Sequence, residues 1–183
     1  SAPSQINSGD TAGAAATAKE ASTQSSDLLE NTKQQFAGDL KDKTNFWIGK
    51  AKLNDIDKTD SARFQKVNED NQSGLDQYGK QKWDAAIATF QKAGNDLQDM
   101  LRNLKNDATA GLEDAKALKE DLLKEGAQEN APEFVVKMNS QIEEIQNLIT
   151  RDNNYQQALL VHNQARQTKS EGITQTKQVN IRL

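Results

Sequence analysis

Trp83-Asp-Ala-Ala86-Ile87-Ala-Thr-Phe90-Gln-Lys-Ala93-Gly94-Asn-Asp-Leu97-Gln-Asp-Met-Leu101-Arg-Asn-Leu104 is the stretch that decides the fold. Its apolar and small residues Trp83, Ala86, Ile87, Phe90, Gly94, Leu97, Leu101 and Leu104 step by 3 and 4 without a slip. The pattern runs on through Ala108, Leu112, Ala115, Leu118 and Leu122, which is the period of an amphipathic helix. Gly111 is the one strong breaker in that run, and an isolated Gly costs a helix only about 1 kcal/mol. The spacing therefore predicts one helix of roughly 40 residues over 83–124, about 60 Å long. The alternative is two helices split at Asn106-Asp107.

Working outward, Leu29, Phe36, Leu40, Trp47 and Ala51 fall on one stripe of a helix expected from Lys19 to Leu53. The segment Leu53-Asn-Asp-Ile-Asp-Lys-Thr-Asp60 supplies turn chemistry, with Asp60 or Ser61 placed to cap a second helix over about 61–78. Glu125-Gly126 reads as a helix stop. Asn130-Ala-Pro132-Glu133 reads as a start, with Asn130 as the cap. That helix carries Val135, Met138, Ile142, Ile145 and Ile149, and a last one carries Tyr155, Ala158, Leu159, His162 and Ala165. Val179, Ile181 and Leu183 alternate with polar residues, a strand-like signal in a tail expected over 171–183. The fold class is all-α, with about five to six antiparallel helices around a long central one.

Composition narrows the function classes. Of 183 residues, 34% are hydrophobic, and Gln and Asn number 19 and 16, so the chain buries narrow stripes rather than a thick core. A parallel-sheet enzyme is disfavoured. The absence of Cys excludes a disulfide scaffold and Cys-ligated metals. A net charge of -4 and a pI near 5.1 give no basic footprint for nucleic acid. No stretch approaches the roughly 18 apolar residues of a membrane span, in line with a mean hydropathy of -0.88. Residues 1–18 contain no large apolar group apart from Ile6 and are expected to form a disordered tether ahead of a helical domain over 19–170. A small-residue tether is what a mature bacterial lipoprotein carries behind its acylated cysteine. Attachment through an N-terminal lipid absent from this chain is one expectation, and a plain terminus of a cytosolic protein is the other.

An internal repeat is legible. Trp83, Ala86, Phe90 and Ala93 have the spacings 3, 4 and 3, and so do Tyr155, Ala158, His162 and Ala165 at an offset of 72 residues. Phe64 and Phe134 precede them at an offset of 70, which defines two hairpins over 61–105 and 131–168. Those residues resemble the second helix of a tetratricopeptide repeat, and Gly74 matches the small residue of its first helix, where a close helix approach excludes bulk. Asp70 and Ser73 stand where that repeat has Trp and Leu, and Gln146 stands where the second unit needs a small residue. The tether plus two such hairpins is also similar to bacterial envelope lipoproteins, including spirochaete ones, with tetratricopeptide-like helices. The resemblance implies a non-catalytic scaffold that is surface-exposed, periplasmic or secreted and binds a segment of a protein partner in a groove.

Sites for chemistry are sparse. His162 is the only histidine, so paired-His metal sites and Cys–His dyads are ruled out, and its repeat position places it on a buried face. Asp55-Ile-Asp57-Lys-Thr-Asp60 fails the calcium-loop pattern, which needs Gly at position 6 and Glu at 12. Adjacent Glu143 and Glu144 point about 100° apart on a helix, poor geometry for shared acid-base work. No phosphate loop, nucleophile elbow or HExxH is present, so no cofactor, no metal and no enzymatic activity are expected. Trp83 and Tyr155 take structural positions of the repeat. Trp47 and Tyr78 are assigned to the partner groove with Asn68, Asn71 and Lys82 around them. Two other readings stand beside this one: an amphipathic bundle that opens onto lipid, and a coiled coil in which helix 83–124 pairs with a second copy.

Overall fold

The computed structural model describes residues 3–4 and 9–182 and is all-helical, with no strand among the described residues. In chain order the elements are α1 (Thr11–Leu53), α2 (Ile56–Thr59), α3 (Ser61–Gly79), α4 (Trp83–Lys124), α5 (Ala127–Asn130), α6 (Pro132–Asn147), a π-helical turn (Leu148–Asp152) and α7 (Tyr155–Arg182). Helix α4 passes Asn106, Asp107 and Gly111 without a break. The turns between elements hold left-handed residues: Asp55 (φ 53), Gln81 (φ 57), Gly126 (φ 88) and Asn153 (φ 51). Asp, Asn and Gly tolerate this region more readily than other residues, whereas Gln81 has no such excuse.

Three local expectations are corrected. Residues 11–18, expected in the tether, are the first turns of α1; a run of Ala and Thr without Pro satisfies its own backbone as a helix. Residues 1–2 and 5–8 of that tether lie outside the described residues. The alternation Val179–Ile181 does not produce an extended tail, because α7 continues through Arg182, while Leu183 lies outside the described residues. Asn130 does not cap α6: the N-cap is Ala131, and the Asn130 amide donates instead to the Gly126 carbonyl at 3.2 Å.

The chain divides into two compact units, residues 1–47 with 65–96, and residues 48–64 with 97–183. In the first unit, Ala37, Ala86 and Phe90 form the buried centre, with Leu40, Leu75, Tyr78, Trp83 and Ile87 packed around them. Residues of α3 and α4 pair in opposite order: Asp70 with Lys92, and Gln77 with Thr89 at 2.8 Å. Between those pairs a Cβ on Gly74 would lie 2.7 Å from the Phe90 ring, so only glycine lets α3 approach α4 this closely. Residues of α1 and α4 pair in the same order: Lys33 with Asp84 at 2.7 Å, and Thr44 with Phe90.

Of the stripe expected for α1, Ala51 is buried, Leu40 packs against the core and Trp47 is half-buried, but its first two members lie outside. Leu29 and Phe36 are 55% and 46% exposed, while Ala37 and Thr44 are buried. The Thr44 hydroxyl donates to the Leu40 carbonyl at 2.8 Å and reaches the Phe90 carbonyl at 3.2 Å. Small side chains bring the two backbones together, and the bulkier Leu29 and Phe36 beside that seam stay outside.

In the second unit, Leu97, Leu122, Met138, Ile145 and Val161 are fully buried. Asn54, 1% exposed, ties the unit's turns together. Its amide donates to the carbonyls of Lys50 (3.0 Å) and Asn153 (3.1 Å), and its oxygen accepts from the backbone N–H of Tyr155 (2.7 Å). Asp114 of α4 meets His162 and Arg166 of α7, and Asp121 meets Lys169 one helical stretch further on. Glu133 of α6 accepts a hydrogen bond from the Gln175 amide of α7 at 2.6 Å.

Candidate interaction surface

All five residues assigned to a partner groove fall within the first unit. Trp47, near the end of that unit's stretch of α1, is half-buried, and its ring stands edge-on to Phe46 with centroids 5.1 Å apart. Phe46 itself is 55% exposed. The Trp47 Nε1 and the Asn71 Oδ1 are buried atoms without a hydrogen-bond partner. Asn68, one turn before Asn71 on α3, is half-buried.

Tyr78 contributes its ring to the packing. It meets Trp83 edge-on at 5.2 Å, Lys41 Nζ lies 5.2 Å from its centroid, and its hydroxyl lies beside Gly38. Lys82 is exposed and lines a cleft of about 300 Å³ with Glu30, Gln81, Trp83, Asp84 and Ala85. Trp47, Asn68, Asn71 and Tyr78 do not line that cleft. Of the five residues, Lys82 alone lines that cleft.

Helix α1 carries exposed apolar residues that periodicity had assigned to a core or passed over: Leu28 (69%), Leu29, Phe36 and Phe46. The signal that locates them is the Ala37–Thr44 pair seven residues apart. Once that small seam is taken as the buried one, the large residues beside it are left outside.

In the second unit, His162 is 8% exposed, with Nε2 2.7 Å from Asp114 Oδ2, and a Cβ on Gly111 would come within 3.2 Å of its ring. Arg166 donates to the same oxygen from Nε (3.1 Å) and from a terminal nitrogen (3.0 Å). The hydrogen bond with His162, then those from Arg166, hold the Asp114 carboxyl below its ordinary value. Asp121 is held down in the same way by Lys169. Burial pushes the Tyr155 phenol up. His162, Asp114 and Arg166 clasp two helices, and no nucleophile stands among them.

Among the described residues no three His, Cys, Asp or Glu side chains gather as a metal site, and no helix is long and apolar enough to cross a membrane. No protein-family model matches the chain, and neither curated proteins nor solved structures give a match.

Proposed function

We propose that the chain is a non-catalytic helical interaction module that presents its first unit to a protein partner. Its two helix pairs, α3–α4 and α6–α7, act as tetratricopeptide-like hairpins in this reading, and the small-residue composition of residues 1–18 is what suggests a bacterial cell envelope as the setting. The observation that carries the proposal is the aromatic pair Phe46–Trp47. An exposed ring stands edge-on to a half-buried one, and such aromatic anchors supply a large share of binding energy at protein interfaces. Half-buried Asn68 of α3 belongs to the same unit and offers an amide for a partner's backbone, Asn71 stands one turn on with its oxygen buried, and Lys82 adds charge at the α3–α4 turn.

The test is affinity capture from a native envelope extract with the immobilised chain, proteins and lipids both being read by mass spectrometry. One enriched protein, lost with Phe46→Ala or Trp47→Ala in variants that keep their circular dichroism, is the expected result. Enriched lipid without protein, or a partner indifferent to both variants, sinks the proposal.

A further inference from the structure

We draw no further inference here: the strongest candidate, the cleft of about 230 Å³ in the second unit lined by Ile56, Asp60, Arg63, Met100, Leu104 and Asp107, is walled by exposed charged side chains of both signs, and nothing in the structure selects a ligand for it.

Discussion

Asn54 caps a helix that begins 101 residues later: its side-chain oxygen accepts the backbone N–H of Tyr155 at 2.7 Å. The first N–H groups of a helix have no partner inside it, and a side-chain oxygen normally supplies one from the residue just before. Here the oxygen comes from the turn after α1, while the amide of the same side chain satisfies the carbonyls of Lys50 and Asn153. Asn54→Ala leaves a buried N–H and the Asn153 carbonyl unpaired together, so a loss of about 2–4 kcal/mol is expected. Urea unfolding of the two proteins measures it, and a change below about 0.5 kcal/mol would show that water replaces the side chain without penalty.

Gly74 and Gly49 are predicted to respond in opposite directions to alanine. The Cβ at 74 meets the Phe90 ring at 2.7 Å, so Gly74→Ala forces α3 off α4 and costs about 1–3 kcal/mol despite the better helix propensity. At 49 nothing lies within 4 Å, and Gly49→Ala should stabilise by about 0.5–1 kcal/mol. Thermal melts of both variants decide the matter; equal shifts would refute the close approach.

The buried seam of α1 gives a second pair. Ala37 is 0% exposed, so Ala37→Leu overpacks it and is expected to cost about 1–3 kcal/mol. Phe36 is 46% exposed, and Phe36→Ser should cost less than about 1 kcal/mol. The reverse ranking would restore the large-residue stripe as the packed face.

Acid should loosen the second unit through Asp114. Its folded carboxyl titrates below the ordinary value of 3.8, so its contribution is complete above that pH. As pH falls further, the unfolded chain takes up the proton first, and the contribution is gone once pH has passed the folded value. Asp114→Asn should therefore lie below the wild type in Tm at neutral pH and converge with it as pH falls through the folded value. A constant gap across the range would mean that the carboxylate's charge plays no part in the clasp.

Helix α4 was readable because its apolar residues hold one period over forty positions and little else competes with that signal. The buried side of α1 was legible only in part: Leu40 and Ala51 pack inward as expected, Leu29 and Phe36 do not. Periodicity weighs Leu29 and Phe36 heavily and Ala37 and Thr44 hardly at all, whereas close helix packing favours the small residues. The Asn54–Tyr155 cap has no periodic trace, since its partners are separated by 101 residues and only the fold brings them together. For the interaction surface, Trp47, Asn68, Asn71, Tyr78 and Lys82 were gathered by residue type alone. Residue type does not show that Tyr78 spends its ring on Trp83 while Phe46, beside Trp47 in sequence, is 55% exposed.

A helix hydrated on every side has only its own backbone to hold it, and short stretches of that kind are marginal in water. Residues 18–32 of α1 are in that position, whereas Ala37 and Thr44 are locked beneath α4. Along one unbroken helix, backbone amides should consequently exchange with deuterium on two clocks, quickly before Thr32 and slowly after Ala37. Trypsin should find the bond after Lys19 long before those after Lys41 or Lys43, trimming the chain from one end while the rest stays folded.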